Sequence, residues 1–140
     1  MSLFVLDTDI LSLLQRGHAA IKTRMASCEP GQVAISVITV DEQLSAWYTL
    51  VRQAKKPSRL AFAYDRLAEN VSFLSRTKIL PYPEGTIALF EELKRAKLGI
   101  GGNDLRIAAT ALNLGATIVT RNIRDFALIP GLTIEDWSNL

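Results

Sequence analysis

The sequence has very little of the two residue types that build most zinc and thiol sites. Its 140 residues include one cysteine, Cys28, and one histidine, His18. A lone cysteine excludes an intramolecular disulfide framework, and a lone histidine excludes paired-imidazole catalysis and histidine-rich zinc sites. Any hydrolytic chemistry must therefore depend on carboxylates.

Two further features are missing. No apolar run approaches the roughly 20 residues of a membrane-spanning helix. The first residues lack the basic segment of a secretory signal peptide, so we expect a cytoplasmic protein. The 16 Lys and Arg against 14 Asp and Glu leave a net charge of only +2, which is too little for general binding of polyanions. With 49% hydrophobic residues, the chain fits one compact domain, residues 1–140.

Short apolar runs alternate with helical patterns along the chain. Strands are predicted at 3–6, 33–35, 78–80 and 117–119, with a further edge strand at 132–134. Strands that alternate with helices predict an α/β sandwich with a mainly parallel sheet.

Two long amphipathic helices are predicted between residues 36 and 75. In the first, the apolar stripe consists of Val37, Val40, Leu44, Trp47, Tyr48 and Val51. In the second, it consists of Leu60, Tyr64, Leu67, Val71 and Leu74. Stripes at this spacing are typical of helix faces that pack on a core or on a second copy of the chain.

Acidic residues gather where the strands end. In an α/β sheet, ligands bind outside the carboxyl ends of the strands, so acids there carry more weight than acids elsewhere. The acids after strands or near that edge are Asp7, Asp9, Asp41, Glu42, Asp104 and Asp125, with Asp125 predicted to lie in a loop. Taken alone, each has a simpler explanation as a helix cap or a loop carboxylate.

Taken together, these acids predict a metal site. Converging carboxylates repel one another, so such a cluster is kept mainly where a cation neutralises it. A set of oxygen ligands favours Mg²⁺ or Mn²⁺, and a metal-activated water that attacks phosphorus needs little else from the protein.

Four segments, in this order and spacing, resemble PIN-domain ribonucleases, specifically the VapC-like toxins of bacterial toxin–antitoxin pairs. They are LDTDILSLL, ISVITVDEQL, GIGGNDLRIAATA and TIVTRNIRDF, and the resemblance spans nearly the whole chain. It implies a PIN-like three-layer α/β/α sandwich and a Mg²⁺-dependent endoribonuclease, with Mn²⁺ as the alternative metal. The partners it implies are an RNA substrate, a small antitoxin protein and a second copy of the chain in a homodimer.

The resemblance also implies roles for individual residues. The acidic metal site would consist of Asp7, Glu42, Asp104 and Asp125. Thr8 and Thr120 would be supporting hydroxyls, and Asn122 a further polar neighbour.

Two positions leave the assignment open. Asp9 stands where many relatives carry Asn, which adds a negative charge near the metal and leaves open whether Asp9 is a ligand. Asp41 lies directly before Glu42, and helical periodicity does not choose between them. Glu42 therefore rests on the motif match.

Two other functions compete with a nuclease. Asp7 and Asp9 after an apolar strand resemble the aspartyl-phosphate motif of HAD-type phosphatases, in which one Asp is the nucleophile and the next the general acid. That motif expects Thr or Val where Leu11 stands. The other competitor is a catalytically inactive PIN-like module that binds RNA or protein. Arg106, Arg121 and Arg124 neighbour the proposed acids in sequence and are candidates for contact with RNA.

Overall fold

A five-stranded parallel sheet organises residues 2–139, the part of the chain that the computed structural model describes. In chain order the elements are β1 Phe4–Leu6, α1 Thr8–Gln15, α2 Ala19–Ala26, β2 Val33–Ser36, α3 Val37–Gln53, α4 Pro57–Ser75, β3 Lys78–Leu80, α5 Glu84–Arg95, α6 Gly102–Asn113, β4 Thr117–Val119, α7 Ile123–Phe126 and β5 Thr133–Glu135. None of these helices is both long and apolar enough to cross a bilayer.

The order of the strands determines where a ligand can bind. The sheet runs β3-β2-β1-β4-β5, and every pair is parallel. The chain builds outward from β1 through β2 to β3, then crosses to the other side of β1 to form β4 and β5. The strand order therefore reverses between β1 and β4, and this reversal opens a crevice outside their carboxyl ends.

Helices cover both faces of the sheet, as the alternation of side chains along the strands requires. Phe4 and Leu6 of β1 pack with residues of α1, α2 and α4 on one face. Val5 packs with residues of α5, α6 and α7 on the other. The strands are thus buried on both sides, and the predicted three-layer α/β/α sandwich is confirmed.

The two long helices bury the predicted stripes only in part, since Val40, Leu44 and Leu74 of those stripes pack in or against the core. On α4 the buried residues are Ala63, Asn70 and Leu74, whereas Tyr64 and Val71 of the predicted stripe are 54% and 49% exposed. On α3 the buried residues are the polar Thr39 and Gln43. Apolar periodicity missed the buried polar positions because it counts only apolar side chains.

An amide network explains the rotation of both helices. Gln43 of α3 exchanges two hydrogen bonds of 3.0 Å with Gln15 at the end of α1. The Gln43 Oε1 atom also accepts a 2.8 Å bond from Asn70 Nδ2 of α4. Because buried polar groups cost free energy unless they are paired, this network fixes which faces of α1, α3 and α4 meet.

The end of the chain adds two elements beyond β4. Residues 133–135 form the parallel edge strand β5, which confirms the strand expected there. Asp125, expected in a loop, lies instead in the first turn of the four-residue helix α7. Phe126 of the same helix is fully buried and anchors α7 in the core.

We expect the Phe126→Ala substitution to lower the free energy of unfolding by about 3–5 kcal/mol, because it removes a buried aromatic ring and leaves a cavity. Leu128→Ala, two residues along at a position that is 51% exposed, is the matched control and should change it by less than about 0.5 kcal/mol. Chemical denaturation measures both. Equal effects of the two substitutions would contradict the anchoring of α7 by Phe126.

Candidate active site

Asp7 joins the central strand to the first helix. It directly follows β1, has an extended backbone and caps the N-terminus of α1, where its Oδ1 accepts a 2.9 Å bond from the Ile10 N–H. Its own N–H donates to the Val119 carbonyl of β4 at 3.0 Å. The carboxylate is thereby held at the crevice between β1 and β4, with only 5% of the residue exposed.

The surroundings of Asp7 raise its pKa to about 6. Burial is the largest cause, and the negative charges of Asp9 and Asp104 act in the same direction. Hydrogen bonds from the Thr120 side chain and the Ile10 backbone lower the pKa but do not offset these effects. Ionisation of this carboxyl is therefore less favourable in the folded protein than in an ordinary Asp.

Asp104 is the acid that connects the other three. It lies in the first turn of α6, and Gly101 rather than Asp104 occupies the cap position. Burial raises the pKa of Asp104, and the charges of Glu42 and Asp125 raise it further. Since Asp104 also acts on the pKa of Asp7, the structure brings together all four predicted acids, from four separate segments of the chain.

The structure distinguishes Glu42 from Asp41. Thr8 Oγ1 donates a 2.7 Å hydrogen bond to Glu42 Oε1 and lies 3.0 Å from Thr39 Oγ1. Asp41 is exposed, and its nearest partner is Ser45 on its own helix. Glu42 therefore faces the site, whereas Asp41 lies outside it.

Thr39 is a site neighbour that the sequence did not reveal. Its hydroxyl is fully buried beside Thr8, one turn before Gln43 on α3. The signal that could have found it is the spacing of Thr39 and Gln43 by four residues, which places two polar groups on one helix face.

Asp125 is positioned by the residues that follow β4. Asn122 Nδ2 donates a 2.9 Å bond to Asp125 Oδ2, and Asn122 Oδ1 accepts from the Asp125 N–H at 3.4 Å. The Asn122 N–H in turn donates to Thr120 Oγ1 at 2.9 Å. Thr120 thus contacts both Asp7 and Asn122, so both predicted supporting residues after β4 lie within the site.

Asp9 is engaged differently from the four central acids. Its Oδ2 accepts from Arg121 Nε at 2.8 Å and also lies 2.8 Å from Arg121 Nη2. Both side chains are 48% exposed, at the rim of the crevice. Asp9 is therefore close enough to act on the pKa of Asp7, but its nearest partner is a cation.

The donor set fits a hard divalent cation by chemistry and charge. Four carboxylates and the Thr8 hydroxyl supply only oxygen atoms, which are the ligands that Mg²⁺ and Mn²⁺ prefer. Burial is the largest cause of both raised pKa values, and neighbouring carboxylates raise them further; a cation would offset the second cause. Within residues 2–139, however, no three His, Cys, Asp or Glu side chains are already arranged around one point as metal ligands.

Comparison with known proteins agrees with this geometry. The PIN domain family matches residues 4–132. Ribonuclease VapC2 of Haemophilus influenzae is 32% identical over 96% of this chain and 97% of its own length. The tRNA(fMet)-specific endonuclease VapC of Shigella flexneri is 30% identical over 96% of this chain and 98% of its own length.

Comparison with solved structures also finds VapBC proteins. A DNA-bound VapBC from Salmonella typhimurium is 29% identical, with a TM-score of 0.76 over 98% of this chain and 99% of that one. VapBC2 from Rickettsia felis, bound to a DNA fragment from the promoter, is 28% identical, with a TM-score of 0.72 over 96% and 98%. The chain belongs to the PIN-domain family, and within it to the VapC ribonucleases of toxin–antitoxin pairs.

Proposed function

We propose that this protein is the endoribonuclease toxin of a toxin–antitoxin pair, and that it cuts RNA with Mg²⁺, or with Mn²⁺ in its place, held by Asp7, Glu42, Asp104 and Asp125. The observation that carries the proposal is the meeting of four acids from four segments around Asp104. PIN-domain nucleases generally use divalent metal ions. The family match weighs against the HAD-type phosphatase alternative.

A bound divalent cation supplies positive charge to the scissile phosphate and activates a water molecule for attack on phosphorus. The chain's own part is to hold the carboxylates. Thr8 orients Glu42, Asn122 orients Asp125, and the helix cap with Thr120 orients Asp7. Mg²⁺ keeps several waters when it binds to proteins, so the acids need not all touch the ion.

The partner we propose is a small antitoxin protein. The VapBC structures similar to this chain are complexes of toxin and antitoxin, and some are bound to DNA. We expect an antitoxin segment to lie along or near the acidic crevice and to present a guanidinium to the carboxylates, since Arg pairs with carboxylates in a planar, two-point geometry. Because the proposed substrate is RNA, we propose that the protein acts in the cytoplasm.

A homodimer is the oligomeric state that we propose. Its proposed interface is the exposed apolar surface of α3 and α4, where Leu50, Phe62 and Tyr64 are 45%, 59% and 54% exposed. Leu50 and Phe62 line one pocket at the junction of the two helices, and exposed apolar surface of this kind marks interaction sites in soluble proteins.

The first test compares neighbouring acids. Asp104→Asn and Glu42→Gln should each lower RNA cleavage more than about 100-fold, because each removes a charge from the metal site. Asp41→Asn, the matched control on the same helix, should leave cleavage within about twofold. Cleavage of a labelled RNA with excess Mg²⁺ measures all three, with circular dichroism as the check on folding.

Three outcomes contradict the proposal. Retained cleavage in Asp104→Asn, with contaminating RNases excluded, removes Asp104 from the site. Wild-type protein that binds RNA without ever cutting it supports the inactive binding module. Phosphatase activity on small phosphomonoesters, lost in Asp7→Asn and without RNA cleavage, supports the HAD-type alternative.

The second test uses the pKa of Asp7. This pKa is about 6 in the folded protein, whereas the ordinary pKa of Asp is 3.8. At pH values between these two, the folded protein therefore binds a proton that the unfolded chain has released. The free energy of unfolding of the metal-free protein should therefore fall as pH rises from about 4 to about 6, by up to about 3 kcal/mol from this group. Asp104 contributes in the same direction.

The Asp7→Asn variant should lose much of this pH dependence and be more stable than wild type at pH 7 without metal, since Asn also caps helices well. Urea denaturation in EDTA at several pH values measures the effect. A wild-type stability that rises steadily through this interval, in parallel with the variant, would contradict the raised pKa.

The third test adds the cation. Mg²⁺ or Mn²⁺ at a hundredfold excess over Kd should stabilise the fold by about 2.7 kcal/mol, and the rise in Tm should be larger at pH 7.5 than at pH 5, where protons compete. Ionic strength must be held constant, because monovalent salt also screens the repulsion. The metal-specific rise should shrink in Asp7→Asn and Asp104→Asn; an identical rise in all three proteins would refute the site.

The fourth test concerns the dimer. Phe62→Glu should shift the protein to monomer, because it places a charge in the apolar surface of α4. Leu114→Glu, at a position that is 51% exposed just after α6, is the matched control and should leave a dimer. Light scattering at micromolar concentration measures both, and a wild type that is only monomeric there would count against the dimer.

A further inference from the structure

Arg121 is placed at the site by both strands that border the crevice. It directly follows Thr120, whose side chain contacts Asp7, and it forms an ion pair with Asp9, two residues beyond Asp7. The Asp7 N–H also bonds to Val119 of β4, so the segments that carry the two partners are joined. The guanidinium is therefore held beside Asp9 at the rim of the crevice, although 112 positions separate the two residues in sequence.

The pair orients the guanidinium and leaves part of it available. Nε and Nη2 both approach a single carboxylate oxygen, Asp9 Oδ2, at 2.8 Å. Within residues 2–139, Nη1 makes no hydrogen bond. Because both side chains are about half exposed, the pair adds little to stability, and its main effect is on the direction of the Arg121 side chain.

The negative charge of the crevice indicates a role for the Arg121 guanidinium. The side chains that hold Glu42 and Asp125 in the crevice are a neutral hydroxyl and a neutral amide, whereas Asp9 at the rim is paired with the Arg121 guanidinium. Carboxylates repel RNA phosphates, whereas the edge of the Arg121 guanidinium that is unpaired within residues 2–139 offers hydrogen-bond donors to them at the rim. Arg is suited to this task because its planar donors match phosphate oxygens.

We propose that Arg121 binds an RNA phosphate next to the one that is cut, and that Asp9 is a positioning residue that holds Arg121 rather than a ligand of the metal. This inference rests on the proposed nuclease function. It explains why a chain with four site acids can carry a fifth at Asp9, since the added charge is offset by its own partner.

The experiment compares Asp9→Asn, Arg121→Gln and the double variant in the full chain. Arg121→Gln should raise KM for a single-stranded RNA roughly tenfold with a smaller change in kcat, because it removes one charged phosphate contact. Asp9→Asn should raise KM less, and the double variant should be no worse than Arg121→Gln alone. The Mg²⁺-dependent rise in Tm should persist in all three.

The salt dependence of RNA binding distinguishes a phosphate contact from a purely structural role of Arg121, because only loss of a phosphate contact changes it. In an Asp104→Asn background, which prevents cleavage, fluorescence anisotropy with the labelled RNA should give a log Kd against log salt slope that is smaller by about 0.7 for Arg121→Gln. Arg66→Gln, which breaks a similar exposed ion pair with Glu69 on α4, is the matched control and should leave the slope unchanged.

The outcomes separate this inference from the proposed function. Loss of the Mg²⁺-dependent rise in Asp9→Asn would make Asp9 a metal ligand and overturn the proposal, as would an unchanged KM and salt slope in Arg121→Gln while wild type cuts RNA. Additive effects of the two substitutions would also overturn it. If wild type binds RNA but never cuts it, the nuclease function fails, whereas a slope that falls in Arg121→Gln still supports the phosphate contact.

Discussion

The mutual repulsion of carboxylates at one edge of a parallel sheet is the constraint on which the site depends. Burial and neighbouring acids raise the pKa of Asp7 to about 6 and raise that of Asp104. A fold that gathers such charges loses stability unless something neutralises them. In the proposed metal site, a divalent cation would offset this repulsion and attract the phosphates of a substrate, so the feature that costs stability would also serve the proposed function.

The fold meets this constraint with backbone and hydroxyl contacts. The strand order reverses between β1 and β4, and both strands end at the crevice. Asp7 is held as a helix cap, Glu42 by the Thr8 hydroxyl, and Asp125 by the Asn122 amide. Each holding group is neutral, so none satisfies the negative charge of the acids in place of a metal ion. The cation in contact with this region, Arg121, is bound to Asp9 at the rim.

The sequence was most informative where one local rule determines the outcome. Strand ends could be recognised from short apolar runs, so Asp7 and Asp125 could be placed at the crevice before any coordinates. Helical periodicity alone could not choose between Asp41 and Glu42, and the resemblance supplied the choice, because the rotation of α3 depends on the pairing of Gln43 with Gln15 and Asn70. The same network buries Asn70 on α4, which the apolar stripe did not include, and the contact between Asp9 and Arg121 joins residues too distant in sequence for periodicity to detect.

Calorimetry of Mn²⁺ binding at pH 6, in two buffers with different ionisation enthalpies, tests the central claim most directly because it counts the protons that binding releases. Asp7 is about half protonated at this pH and must be ionised to hold a cation, so we expect release of about half a proton or more per bound ion, and less in Asp7→Asn. Binding without proton release, equal in wild type and Asp7→Asn, would contradict a metal site at these carboxylates.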